Sequence, residues 1–144
     1  MSYIKIMVHL IWSTKNREAV IRNELKDALL DHIKENSIQK GIFIDTFNCV
    51  ADHIHMLVSL GSEQTVSKIV QLIKGESSHW LNEQHILKGR FEWQDDYFAT
   101  SVSESMIDKV REYISNQEEH HRIKSFAEEY DEFMNKYGFK TIAE

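Results

Sequence analysis

One domain is what 144 residues, 42% of them hydrophobic and 28% charged, can build: enough chain to bury a core without staples, too little for a second one. Cys49 is the only cysteine, so no disulfide can close within the chain and a reducing cytoplasm is the expected compartment; no apolar run is long enough to span a bilayer, and Met1 to Lys5 does not open a signal peptide. Seventeen Lys and Arg against 23 Asp and Glu leave a formal net charge of −6, which excludes a protein that is basic all over.

Between Tyr3 and Ser13, Ile4, Ile6, Val8, Leu10 and Trp12 alternate with more polar neighbours, the period-2 pattern of a strand with one buried face. Asn23 is placed to cap a helix in which Leu25, Ala28, Leu29, His32 and Ile33 recur on one side, with Gly41 closing it. Two β-rich runs follow, Ile42 to Val50 and His53 to Leu60, and the two residues between them, Ala51 and Asp52, predict a tight hairpin. Ser62 or Thr65 starts a second helix carrying Val66, Ile69, Val70, Leu72 and Ile73, which continues to about Gln84 despite Gly75. Tyr97 to Val102 reads as a fourth strand and Glu104 to His121 as a third helix with Met106, Val110 and Ile114 on its apolar side. Ser125 and Glu128 form the capping-box pattern of a last helix, which ends at Gly138.

The order strand, helix, strand, strand, helix, strand predicts an α+β domain built on a ferredoxin-like (RRM-like) antiparallel sheet. Its two crossover helices would lie on one face and leave the other for a site or a partner. Residues 104 to 144 would add the last two helices to a single domain spanning 1 to 144.

In a strand, His53 and His55 project to the same face while Ile54 turns into the core, so two imidazoles can converge on one metal ion. Two exposed strand histidines are the plain alternative; the apolar run Met56-Leu57-Val58 argues against it, because polar rings are costly in a buried strand. Tyr113 and Gln117 stand four residues apart on one helix, which aims a phenol and an amide at one patch, but Tyr113 shares its stripe with Met106 and Val110, and a helical tyrosine so placed is far more often core than nucleophile. Among the other histidines, His32, His79 and His85 read as packing or surface residues, and His120 and His121 as partners of a helix C-terminus. His9 differs: it lies on the strand face opposite Ile4, Ile6 and Val8, within reach of a metal face.

These pieces sit in longer segments: HLIWSTKNRE (9 to 18), VADHIHMLVSL (50 to 60), TVSKIVQLIKGESS (65 to 78), FEWQDDYFATSVS (91 to 103) and VREYISNQEEHHRIKSFAEEY (110 to 130). Together they resemble the single-tyrosine HUH transposases of the insertion sequence 200 / insertion sequence 605 group, including relatives associated with repetitive palindromes, over nearly the whole chain. Ala51 departs from the pattern, standing before Asp52 where the family often has proline, which loosens the turn and touches no reacting group. The resemblance implies Tyr113 as nucleophile, a divalent ion (Mg2+ or Mn2+) on His53 and His55 with Gln117 as third ligand, and a 5′-phosphotyrosine link formed on single-stranded DNA with hairpin ends. It also implies a homodimer whose active sites are shared between subunits. A phenol with an ordinary pKa near ~10 needs activation at neutral pH, and a phosphodiester shielded by anionic oxygens needs a cation beside it, so the implied parts suit the chemistry.

The charge distribution leaves room for such a substrate, since residues 1 to 90 carry 11 basic against 10 acidic side chains and residues 91 to 144 carry 6 against 13. A DNA-binding patch would draw on Lys15, Arg17, Lys68, Lys74, Lys88 and Arg90, with Trp93 as a base-stacking aromatic. Two other readings compete: a catalytically silent binder of single-stranded nucleic-acid hairpins, and a metal-dependent phosphodiesterase that uses water. The four residues His53, His55, Tyr113 and Gln117 occurring together speak against the silent binder, and a Tyr113→Phe protein that still cleaves would mark the water-using enzyme.

Overall fold

The computed structural model describes residues 1 to 119, together with Ser125, Glu128, Glu129, Asp131, Glu132 and Lys136. Strands β1 (Met7–Ser13), β2 (Phe43–Val50), β3 (His53–Ser59) and β4 (Phe98–Val102) form one antiparallel sheet in the order β2-β3-β1-β4, with helices α1 (Asn23–Gln39) and α2 (Val66–Glu83) as the crossovers. This is the ferredoxin-like arrangement expected from the element order. The helix α3 (Ile107–Ser115) follows β4 through a short 3-10 turn, Glu104–Met106.

Alternation along the strands divides the interior in two. Val8, Leu10 and Trp12 of β1 and Ile54, Met56 and Val58 of β3 meet Leu25, Leu29 and Ile33 of α1 and Ile69, Val70, Ile73 and Leu81 of α2 in the main core. On the reverse face Met7 and Leu57 pack against Ile107 and Ile114 of α3. The face expected to stand open is therefore partly roofed by the tyrosine-bearing helix. β1 is also shorter than its alternating pattern: it starts at Met7, and Ile4 and Ile6 are exposed, because only from residue 7 onward do β3 and β4 flank the strand.

Local chemistry explains most of the boundaries. α1 ends in paired bonds, Gly41 N–H to Ile38 O (3.2 Å) and Ile42 N–H to Ser37 O (2.9 Å), with Gly41 at φ +71°. A Cβ at Gly41 would meet nothing within 4 Å, so the cost of Gly41→Ala is conformational, and a loss of about 1 kcal/mol is expected in a urea melt. Asn23 is the first residue of α1 and makes no cap, since the preceding Arg22 takes the N-cap place. Thr65, in contrast, caps α2 by accepting from the Lys68 N–H at 3.2 Å.

Two polar staples hold α3 on the sheet. Arg111 makes a two-pronged contact with Asp45 of β2, both bonds 2.8 Å, at the point where the β2–β3 register shifts. Asn48 of β2 donates to the Ile114 carbonyl (3.1 Å), capping the end of the helix. The third helix does not run unbroken to residue 121: it stops at Ser115, Asn116 takes a non-helical conformation, and helical backbone resumes at Gln117. Beyond it, the Glu128 N–H donates to Ser125 Oγ at 3.3 Å, as the capping pattern predicts, and Glu128, Glu129, Asp131, Glu132 and Lys136 are helical. The apolar stripe that the last helix's sequence offers (Phe126, Tyr130, Phe133, Met134 and Tyr137), its expected end at Gly138, and the expected placement of His120 and His121 lie outside the described residues.

Candidate active site

The register brings the site together on the reverse face. His9 and Ile11 of β1 lie across from Leu57 and His55 of β3, and Ser13 lies across from His53, so His9, His53 and His55 share one side of two adjacent strands. Both strands are buried on both faces, and the three rings are almost wholly enclosed. α3 lays Tyr113 over them, its ring centroid 5.5 Å from His55 and 6.2 Å from His9, both edge to face. Tyr113 and the histidines belong to one chain.

The group they converge on is a carboxylate. Glu129 is buried, with one oxygen 3.0 Å from His55 Nε2 and the other 3.5 Å from His53 Nε2, and the Tyr113 hydroxyl donates to the first of these oxygens. Among the described residues His53, His55 and Glu129 form a cluster that could hold a metal ion, their ligand atoms within 4.8 Å of one another. The donor set fits a small divalent cation: a buried carboxylate brings the hard oxygen that Mg2+ and Mn2+ prefer, and Mn2+ accepts imidazole nitrogen. The histidine pair and Asp52 stood out in the sequence; Glu129 did not, because nothing distinguishes it from its neighbour Glu128 until the fold buries one and exposes the other.

Each ring is held from behind. His53 Nδ1 donates to Asp52 Oδ1 at 2.7 Å, and His55 Nδ1 lies 3.0 Å from His9 Nε2. Gln117 is buried and its amide nitrogen donates to the Tyr113 carbonyl at 3.0 Å, so a role as metal ligand would fall to its other terminal atom, Oε1.

The electrostatics follow from burial and these partners. Burial works against a charged His53, yet Asp52, which accepts from its Nδ1, and the Glu129 carboxylate 3.5 Å from its Nε2 hold its pKa above the ordinary value. Burial drops His9 to about 3, with His55 pushing the same way and Glu129 opposing. Burial also raises the Tyr113 phenol, and the Glu129 carboxylate raises it further, while the Gln117 amide pulls it down. Left to these groups, the tyrosine keeps its proton.

The His9 and His53 shifts have opposite consequences for stability. Below pH ~6.5 unfolded His9 takes a proton that the folded chain refuses until about 3, so its contribution is full above ~6.5 and falls with pH, by about 2 kcal/mol at pH 5. His53, raised in the folded state, contributes fully below ~6.5 and loses that contribution as pH rises through its folded value. Urea melts of metal-free protein at pH 5 and 7.5 should show a shallower acid loss for His9→Phe than for wild type; equal losses would contradict the assignment.

The basic residues are less uniform than their sequence suggests. Lys68 is exposed on α2, and Lys15 is exposed but paired with Glu92 at 2.8 Å. Lys74 is half-buried and donates to the carbonyls of Gln94, Asp95 and Asp96, which makes it an organiser of that loop, and burial lowers its pKa. Trp93 is not a free stacking surface: it lies in the main core, edge-on to Trp12 and Phe91, and donates to Ser77 Oγ at 2.9 Å. A cleft of about 520 Å³ between α2 and residues 90 to 97 is lined by Lys15, Gln71, Ser78, Arg90 and Tyr97 among others. Lys15 and Arg17 follow directly on Ser13, so this basic turn leaves the sheet at the end that carries His53. Among the described residues no helix is long and apolar enough to cross a membrane.

Comparison with known proteins gives the same picture. Residues 2 to 117 match the family model for IS200-like transposases. The ISDra2 transposase TnpA of Deinococcus radiodurans is 30% identical over 114 residues, covering 76% of this chain and 81% of that protein. The transposase for insertion sequence element IS200 of Salmonella typhimurium is 28% identical over 120 residues, 80% of this chain and 78% of that one. A transposase structure from Deinococcus radiodurans superposes with a TM-score of 0.66 at 27% identity, covering 81% of this chain and 93% of that one. A REP-associated tyrosine transposase bound to a REP hairpin shares the fold, with a TM-score of 0.65 at 18% identity over 84% of this chain and 72% of that one.

Proposed function

We propose, from the premise that this chain belongs to the IS200-like transposase family, that it cleaves and rejoins single-stranded DNA at hairpin-bearing element ends through a covalent link to Tyr113. The observation that carries the reading is the Tyr113 hydroxyl, aimed within its own chain at the carboxylate on which His53 and His55 converge. In the forward step the phenol oxygen bonds to phosphorus and the bond to the 3′ oxygen breaks, leaving a 5′-phosphotyrosine and a free 3′-OH. The phenol proton has Glu129 as its acceptor, and the departing 3′ oxygen takes one from solvent. Attack of a 3′-OH on the phosphotyrosine is the reverse step, which rejoins strands without an external energy source.

His53 and His55, with oxygen from Glu129 and Gln117, would hold a Mg2+ or Mn2+ ion. Such an ion, when bound, polarises the scissile phosphate and offsets the charge developing on its oxygens. Exposed Lys68 and the basic turn at Lys15 and Arg17 would follow the DNA backbone toward the site. For the homodimer that the family implies, the placement of Tyr113 against the same chain's histidines favours a tyrosine that serves its own subunit's site.

A radiolabelled single strand carrying an element end, incubated with the protein and Mn2+, should yield a denaturation-resistant adduct on the 5′ end of the downstream fragment and an upstream fragment whose 3′-OH a polymerase extends. Cut strands without adduct would mean hydrolysis by water. A complex seen only on native gels would mean a binding protein.

A further inference from the structure

The active-site histidines are held by two different partners, and only one of them is a familiar kind. Asp52 supports His53: a carboxylate accepting from Nδ1 leaves Nε2 directed at the cluster. His55 has the same need, and the partner seen at its Nδ1 is a second imidazole. Its Nδ1 meets the Nε2 of His9, 3.0 Å away, on the neighbouring strand. We propose that His9 is the positioning residue of His55, fixing the ring and its tautomer so that Nε2 faces Glu129 and any ion held there. This rests on the metal-assisted reading above and extends it to a residue outside the ligand set.

The geometry constrains the protons. His9 Nε2 and His55 Nδ1 share one proton across 3.0 Å, and the tautomer of the pair decides which ring donates and which accepts; His55 Nε2 lies 3.0 Å from a Glu129 oxygen but not in hydrogen-bond geometry to it. For His55 to offer an Nε2 lone pair to a cation, its proton must sit on Nδ1, where it points back at His9; His9 must then accept through Nε2 and carry its own proton on Nδ1. In that arrangement both rings are neutral. A phenyl ring at position 9 would fill the space and could do neither. Glutamine, whose terminal oxygen or nitrogen can be turned to the place of Nε2, could do both. His9 has no such duty as a core residue: both adjacent residues, Val8 and Leu10, point into the main core while its own ring faces the site.

The test is Mn2+ binding by isothermal titration of the full chain, read beside its metal-free melting temperature. His9→Phe should weaken Mn2+ by roughly 10- to 100-fold with no fall in the metal-free melting temperature, and His9→Gln should recover most of the affinity. Unchanged affinity in His9→Phe would overturn the proposal. Nitrogen-15 spectra of the Mg2+-loaded wild type give a reading that does not need the variant to fold: His9 and His55 should both be Nδ1–H tautomers, joined by a hydrogen bond. A Mg2+-loaded wild type in which His9 keeps its proton on Nε2 would overturn the proposal. A wild type that binds no divalent ion, with the His9–His55 hydrogen bond still detected, would instead overturn the metal-assisted reading while leaving His9 as the holder of His55.

Discussion

Tyr113→Phe protein is expected to form no covalent adduct with single-stranded DNA at any Mn2+ concentration, while binding the same strand within about threefold of wild type. The substitution removes one oxygen, and that oxygen is the atom proposed to bond to phosphorus, so the loss is of the reaction and not of a fraction of its rate. The ring's contacts with His55, His9 and the Val110 side of α3 survive, which keeps the helix seated and makes folding a minor concern. Denaturing electrophoresis of a labelled element end decides the outcome. An adduct of undiminished yield in the phenylalanine variant would remove Tyr113 from the chemistry altogether.

The second large effect is expected at His53. Its ring lies between two carboxylates, Asp52 at Nδ1 and Glu129 at Nε2, and is wholly enclosed. His53→Ala should lower Mn2+ affinity about 100-fold, the equivalent of roughly 2.8 kcal/mol at 1.4 kcal/mol per tenfold. It should also lower the stability of the metal-free protein by about 3 kcal/mol, because breaking a buried ionic contact from one side leaves the other charge enclosed. Urea denaturation and Mn2+ titration read the two separately. Retention of both properties in the alanine variant would mean that Glu129 is neutralised by other means and that the cluster is not a cation site.

A catalytic role for Tyr113 in the metal-free arrangement meets resistance from its own surroundings, and that resistance is informative. Burial and Glu129 both favour the protonated phenol, and Gln117 alone opposes them. A divalent cation beside Glu129 reverses the sign of the nearest charge, so the arrangement that suppresses ionisation in its absence promotes it in its presence. In the proposed reaction, activation of the tyrosine would thereby depend on occupation of the histidine pair.

Period-2 alternation and the two-residue Ala51-Asp52 turn made the hairpin and the facing of His53 and His55 readable from the chain, because both depend on spacing within a few residues. The split βαβ order was readable for the same reason, and so was the resemblance that singled out Tyr113 and Gln117. His9 was placed on the right face by parity along β1.

What spacing could not supply was anything set by contact between distant segments. Trp93 looked like a base-stacking ring and is core, because Trp12 of β1 and Ser77 of α2 close around it beside its near neighbour Phe91. Lys74 looked like a phosphate contact and instead binds three carbonyls twenty or more residues away. The break in the third helix at Asn116 coincides with the Asn48 cap on the preceding turn, a tie between β2 and α3 that no local pattern announces.

Glu129 is the sharpest case. Local sequence determines that it is acidic and in a helical stretch; only its tertiary contacts with His53, His55 and Tyr113 decide that it, and not Glu128, is carried into the histidine pair. Strand parity and helical period set which way a side chain points from its own backbone, whereas a site needs several such directions to meet, and their meeting is decided by how the elements dock.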